Sequence, residues 1–284
     1  HWCGLEGTNP STAGKMHWQQ AVRRWHASCA RAGRFGSHSF WESQYERGKA
    51  PNEWFLPAEQ AATSTAEAFA AHEKVHGLGV PSAKVLHIGC GTSRLGSCLI
   101  SALGSHLQLS SRVMSVDYSA VAVAAAQAAV AMQTGEQQQQ QQQLFRVWDA
   151  ASGTPPPALP NTVYTCVMSP RYEMPLSVRY DLLVDKGTLD SLCFATDDAL
   201  ITYLAAIRAC LLALSLDSTM PPLLVHFTDD PPEIRGELFA AAFPTTNGER
   251  WRCSCVEVEQ EGPGSLGDAT TSAYYRYTVH RDMI

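Results

Sequence analysis

No stretch of the 284 residues runs apolar without interruption for the roughly 20 positions that a membrane-spanning helix needs. A soluble chain with no membrane partner is expected. A basic excess is missing too. The 21 Lys and Arg stand against 27 Asp and Glu, a formal net charge of -6, so no overall positive field attracts a phosphate backbone and no nucleic-acid partner is expected. The nine cysteines include no C-x-x-C pair and have no matching histidine cluster, so no metal is expected. Cys253 and Cys255 would share one face of a strand as small packed side chains. Free thiols imply a reducing compartment.

What is present suffices for one large α/β domain: 45% of residues are hydrophobic and 17% charged, a globular balance. From Gly7 to Trp41 the chain carries Lys15, Arg23, Arg24, Arg31 and Arg34 and no acidic residue. Two readings stand side by side there. One is an organellar transit region or its remnant. The other is a basic solvated helix whose apolar face is Trp18, Val22, Trp25 and Cys29 at helical spacing. On the first, residues 1–39 are an N-terminal extension ahead of one domain at 40–284, and the chain is mitochondrial, with cytoplasm or chloroplast as alternatives. Seven glutamines at 137–143 and the proline-rich "SGTPPPALPNT" at 152–162 cannot bury an apolar face, so 134–143 and 151–179 read as loop insertions.

Elsewhere short apolar runs alternate with helical stretches, which predicts a mostly parallel, Rossmann-like sheet with helices on both faces. The runs "KVLHIG" at 84–89, "RVMSVD" at 112–117, "QLFRVWD" at 143–149, "YDLLVDKG" at 180–187 and "PLLVHFTD" at 222–229 read as its strands. Two alternating runs at 250–260 and 273–281 read as an antiparallel pair at one edge. Ligands of open α/β sheets bind beyond the carboxyl ends of the strands, so the groups at those ends are the candidates for function.

The first strand turns through "GCGTSRLG" at 89–96 into an apolar helix pattern. A glycine turn between strand and helix brings a ligand close to the backbone and to the helix N-terminus, for dinucleotides and other adenosine ligands alike. The second strand ends in Asp117, a carboxylate able to accept from both hydroxyls of a ribose, and the third in Asp149 beside Trp148. The glycines do not follow G-x-G-x-x-G, and the acid lies farther on than the about 20 residues of the dinucleotide motif, so NAD fits poorly.

Together "VLHIGCGTSRLG", "VMSVDYSAVAVA" and "DLLVDKGTLDSL" resemble successive motifs of class I S-adenosylmethionine-dependent methyltransferases, the seven-strand kind. "FWESQYERG" at 40–48, "EWFLP" at 53–57 and "DKGTLD" at 185–190 resemble the protein-lysine branch that includes the enzymes acting on elongation factor 1A and on citrate synthase. "HFTDDPPEIR" at 226–235 is most similar to the citrate synthase enzymes. The resemblance implies S-adenosylmethionine as cofactor and citrate synthase as protein partner, with elongation factor 1A or a terminal amine as alternatives. A non-catalytic cofactor-binding scaffold is the alternative of another class.

Carried over, the cofactor site would use backbone at Gly89, Cys90 and Gly91, ribose recognition at Asp117 with Tyr118 beside it, and adenine contacts near Asp149 and Ala150. Trp41 and Tyr45 would close over the methionine end. Where many of these enzymes place an acid for the methionine ammonium, this chain has His87, so Asp185 or backbone carbonyls must help. Asp185, Lys186 and Asp190 would lie near the transferring methyl, and the absence of (D/N)PPY argues against amino groups of bases. Asp229 and Asp230, with catalytic roles for Asp185, Lys186 and Asp230, would form an acidic entrance that draws in Lys-NH3+. The alternative for the aspartate pair is a cap on the helix that starts near Pro231 and Pro232.

Overall fold

A computed structural model of the chain describes residues 17–29, 33–50, 53–76, 82–133, 142–159, 180–213, 220–245, 249–259 and 273–282. Among them seven strands form one sheet: β1 (Ser82–Ile88), β2 (Ser110–Asp117), β3 (Gln143–Val147), β4 (Leu182–Lys186), β5 (Leu223–Thr228), β6 (Trp251–Val258) and β7 (Tyr274–Arg281). Their order across the sheet is β3-β2-β1-β4-β5-β7-β6. The first five are parallel, and β7 runs antiparallel to both β5 and β6. The expected α/β sheet with an antiparallel C-terminal edge is therefore what forms, with strand ends shifted by at most two residues.

The central parallel strands are covered on both faces, which is why they read as near-continuous apolar runs. The two-residue period still divides them between two cores. Leu86, Ile88, Met114, Val116, Leu183 and Leu224 face one, closed by α1 (His17–Cys29), α7 (Asp197–Leu212) and α8 (Pro232–Ala242). Val85, Val113, Leu182, Val184, Leu223 and Val225 face the other, closed by α3 (Ala58–His76) and α4 (Leu95–Leu107). Each fully buried Leu, Val or Phe side chain contributes roughly 1.5–3 kcal/mol. Next to β3, α5 (Ala120–Gln133) packs Val123 and Ala126 on Phe145. The short helices α2 (His38–Glu46) and α6 (Thr188–Leu192) lie at the carboxyl end of the sheet.

From β1 the chain moves outward to β2 and β3, then returns across β1 to β4. The winding reverses between β1 and β4, and the connections that leave these two strands diverge, opening a crevice beyond their carboxyl ends.

Three expectations about the segments are corrected. Residues 17–29 are not part of a detached extension: Val22 and Trp25 of α1 are buried in the first core, and the Trp25 indole N–H donates to the Ile234 carbonyl at 3.2 Å. Cys29 closes the helix and residues 1–16 lie outside the described residues. Gln143, counted both in the loop insertion and in the strand at 143–149, belongs to the strand: it opens β3 and is buried, accepting from Ser97 Oγ at 2.8 Å and donating to Ser115 Oγ at 3.2 Å. Residues 151–159 dock on the core through Leu159, with the Trp148 N–H donating to the Thr154 carbonyl at 3.1 Å. The remainder of the insertion, 160–179, is outside the described residues.

Candidate active site

The crevice between the β1 and β4 ends is a cleft of about 940 Å³ including its open mouth. Its floor is the β1 turn. Gly89 has φ +62°, and a Cβ there would stand 1.7 Å from Thr188 Oγ1. Gly91 has φ +48°, and a Cβ there would stand 3.0 Å from the Tyr45 hydroxyl. Both positions need glycine, for left-handed backbone and for space. The turn thereby packs directly against Thr188 and Tyr45 while it lines the cleft.

Asp117, at the end of β2, is buried in the cleft wall. One carboxylate oxygen accepts from Gly91 N at 2.9 Å and the other from Ser119 N at 3.0 Å, so it fixes the glycine turn from the side. Burial raises its pKa, and these two bonds pull the other way. Each oxygen keeps a lone pair for a hydroxyl. Beside it Tyr118 stacks on His38, ring centres 4.1 Å apart, and donates to the His38 carbonyl at 3.1 Å. Asp149 and Ala150 line the far end. Asp149 also does what a strand-end cap does, accepting from Ala151 N at 2.8 Å.

Trp41 and Tyr45 of α2 form the opposite wall, joined by Phe35 and Trp54. Neighbouring ring centres in this aromatic wall lie 5.3 Å (Trp41–Trp54) to 6.2 Å apart (Trp41–Tyr45). The Trp41 N–H donates to the Phe35 carbonyl at 2.7 Å, which fixes its ring. Burial, followed by the Asp117 charge, pushes the Tyr45 phenol well above its ordinary pKa. It stays protonated.

His87 lies at the floor, fully buried, with Nδ1 3.4 Å from Ser115 Oγ. Burial, then the Lys186 charge, lowers its pKa to about 3. The imidazole is neutral at physiological pH, so it can accept a hydrogen bond. Lys186 lines the cleft, but its ammonium is committed to Glu53 and to the Leu56 carbonyl at 3.0 Å. Glu53 in turn accepts from Ser93 Oγ at 2.9 Å and Arg94 N at 3.3 Å, tying the 53–57 segment to the glycine turn.

The acidic entrance does not form. Asp185 is buried beneath the cleft, not lining it: its oxygens accept from Thr188 N at 2.9 Å, from Leu189 N at 3.1 Å and from the Tyr203 hydroxyl. Burial works against its charge, but contacts with His226 and these donors outweigh it and lower the pKa. Asp185 therefore caps α6 and neither holds an ammonium nor receives substrate. Asp230 is buried against the wholly buried Arg235 at 2.7 Å, and Arg235 also meets Asp190 at 2.6 Å. Nor is Asp230 a helix cap, since the N-cap of α8 is Pro231 without a side-chain bond. The catalytic assignments of Asp185 and Asp230 fail because each carboxylate turns under the sheet mouth to buried partners, Asp185 to the N–H groups of α6 and the Tyr203 hydroxyl, Asp230 to the Arg235 guanidinium. Asp229 is exposed and lies outside the cleft lining.

Of the sequence candidates the fold thus gathers Trp41, Tyr45, Gly89, Cys90, Gly91, Asp117, Tyr118, Asp149, Ala150 and Lys186 around one cleft. Sequence reasoning missed Phe35 and His38 as parts of it, and Glu53 as the partner that holds Lys186 there. Glu53 opens the "EWFLP" segment already singled out, so its signal was on the page. Phe35 precedes α2 in a segment read only as basic.

No protein-family model matches this sequence, and no curated protein matches it. Solved structures with a similar chain course include a TehB-like SAM-dependent methyltransferase from Corynebacterium glutamicum, 15% identical, covering 94% of this chain and 98% of that one at a TM-score of 0.39. The plantazolicin methyltransferase BpumL with SAH is 10% identical, covering 93% and 100% at 0.45. The methyltransferase domain of bacterial CtHen1 is 12% identical, covering 78% and 98% at 0.43. At such scores the functional conclusion has to stand on the residues of the cleft.

Proposed function

We propose that this chain transfers methyl groups from S-adenosylmethionine to a lysine side chain of a folded protein. The observation that carries this reading is the convergence of the Gly89–Gly91 turn, the buried Asp117 and the aromatic wall of α2 on one cleft. The cradle fits an adenosine ligand, because the Gly89–Gly91 turn lines the cleft beside two Asp117 carboxylate oxygens with lone pairs to spare. Gly89, Cys90 and Gly91 would meet it with backbone, Asp117 with its carboxylate, Tyr118, Asp149 and Ala150 at one end, and Trp41 and Tyr45 at the other. Bound there, the cofactor supplies a methyl group activated on a sulfonium.

The work of the chain is then positioning and drying. His87, neutral, offers an acceptor at the floor where the acid of the resembling family is missing. Lys186 is neutralised by Glu53, so the cleft does not repel an incoming ammonium. In place of an acidic entrance, the faces of Trp41, Trp54 and Phe35 would receive the lysine cation, a contact of about 0.5–2 kcal/mol per ring. Tyr45 is held protonated and His87 is a weak base, so the proton leaves to water and the rate rises with pH toward the lysine pKa of about 10.4.

Citrate synthase is the first partner to test, on the resemblance at residues 226–235 alone, and the mitochondrion is the matching compartment. Radiolabelled S-adenosylmethionine is mixed with the purified chain and citrate synthase, elongation factor 1A or a mitochondrial lysate, and labelled peptides are identified. Label on a citrate synthase lysine is the expected result. Label confined to elongation factor 1A or to a terminal amine removes the partner and keeps the chemistry. Binding of the cofactor without label on any partner leaves a scaffold, and a thermal shift with NAD but none with S-adenosylmethionine removes the whole reading.

A further inference from the structure

We propose that His72, His76 and His280 bind a zinc ion at the end of the sheet opposite the cleft. The site is independent of the methyltransferase reading. His280 of β7 pairs with Leu223, the first residue of β5, whereas the cleft opens beyond the strands' carboxyl ends. His72 and His76 stand four residues apart near the end of α3, on one helix face. The fold brings them to His280, more than two hundred positions away in the chain, so no local motif announces the site.

One ring nitrogen from each histidine lies within 4.8 Å of the other two. Ring centres are 4.5 Å (His72–His76), 4.6 Å (His72–His280) and 5.7 Å (His76–His280) apart. A tetrahedral zinc with bonds of 2.0–2.1 Å holds its nitrogens about 3.4 Å apart. Side-chain rotation closes the difference, most easily at His76, the last residue of α3.

The other ring nitrogens carry the partners that ligand histidines use to fix their tautomer. His72 Nε2 lies 2.8 Å from the Pro221 carbonyl, which makes it the donor and leaves Nδ1 free as a ligand. His280 Nδ1 lies 3.4 Å from the Arg281 carbonyl, a longer contact that leaves Nε2. His76 Nε2 is buried with no hydrogen-bond partner. Three imidazoles packed only for their rings would bury that nitrogen with nothing in return, and a cation gives it a partner.

Near the site the Arg252 guanidinium is paired with Asp282 at 2.7 Å. An all-imidazole set suits zinc, copper or nickel and not calcium or magnesium, which take oxygen ligands. Three protein ligands leave a fourth position for water. The ion would clasp the end of α3 to β7 and to the turn before β5.

The full chain is stripped with a chelator and titrated with zinc sulfate, read by calorimetry and by metal analysis after desalting. One equivalent and a raised Tm are expected, with no response to magnesium. His76→Gln and His280→Gln should each weaken zinc binding at least 100-fold, beyond the 10–100-fold that loss of a second-shell partner costs. Absence of stoichiometric zinc overturns the site. Binding that survives both substitutions also overturns it and moves the ion to thiols such as Cys253. Should a variant not fold, cobalt-loaded wild-type chain reads the ligands directly by X-ray absorption: a nitrogen shell is expected, and a sulfur shell overturns the proposal.

Discussion

Two aspartates with similar sequence surroundings have opposite consequences here. Asp117 ends β2 and Asp230 follows the end of β5 by two residues, yet Asp117 turns its carboxylate into the cleft and to the glycine turn while Asp230 turns to the buried Arg235. Asp117→Asn keeps the volume and one acceptor. Losing a charge-assisted bond to a ribose hydroxyl, worth about 1.5–3 kcal/mol, should weaken S-adenosylmethionine at least tenfold in calorimetry. An unchanged Kd would remove the ribose role. Asp230→Asn should act on the fold instead. It takes one carboxylate from a buried guanidinium, whose charge burial opposes and which Asp190, Cys193 and Asp230 sustain. Asp190 stays paired with the guanidinium, so the loss is smaller than the about 3–5 kcal/mol of a buried charge left wholly unpaired, and is visible as a lower denaturation midpoint. The salt dependence of methyl transfer should not move, because Asp230 never faces the substrate; a shifted salt dependence would restore it to the entrance.

Among the elements, the legible ones were those whose periodicity has a single cause. Four strands buried on both faces, β1, β2, β4 and β5, leave continuous apolar runs, and the β6–β7 edge leaves alternation, so the central sheet and the antiparallel edge could be read from the chain. The helix face Trp18, Val22, Trp25 was legible as well, but its destination against α8 was not. A glutamine run has no periodicity, so Gln143 reads both as the last residue of the loop and as the first of the strand, and only the structure decides for the strand. The 53–57 segment was seen only as a resemblance, and its physical reason is the Glu53–Lys186 ion pair. That pair fastens the wall of the cleft to the end of β4, with Lys186 buried and Glu53 partly so. Glu53→Gln should leave the ammonium with one carbonyl and destabilise the chain by about 3 kcal/mol, less any screening at the partly open Glu53. Lys186→Met on top of it should restore most of that loss, read by chemical denaturation of the two variants. If the double variant is less stable than Glu53→Gln alone, the lysine stabilises through its other contacts and the account of the segment is wrong.

At the scale of the whole molecule, the sheet order gave the place of the cleft but not the state of the groups in it. That state depends on burial, which joins residues from β1, β2 and β4 that no local pattern connects. His87 is the clearest case, a histidine at a position where the resembling family has an acid, made neutral by the protein around it. Its consequence is a global one. The unfolded chain takes up the His87 proton near pH 6.5, the folded chain only near 3. Between those values the unfolded state binds more protons, so this contribution is fully present above pH 6.5 and stability falls as the pH falls. The slope is up to about 1.4 kcal/mol per pH unit for that one proton. Asp185, lowered by its buried donors, adds loss of the same sign farther down, as the pH passes through the ordinary carboxylate range of about 4. His72 in the metal-free chain shares the direction, since burial lowers it to about 4. Comparing two proteins isolates His87. The Tm of metal-free wild type should drop from pH 6.5 to 4.5 more steeply than that of His87→Gln, which keeps a polar side chain there but carries no titrating group. Parallel curves would mean that His87 protonates in the folded chain at its ordinary pKa. The cleft floor would then carry a positive charge near neutral pH, where the proposed chemistry requires an acceptor.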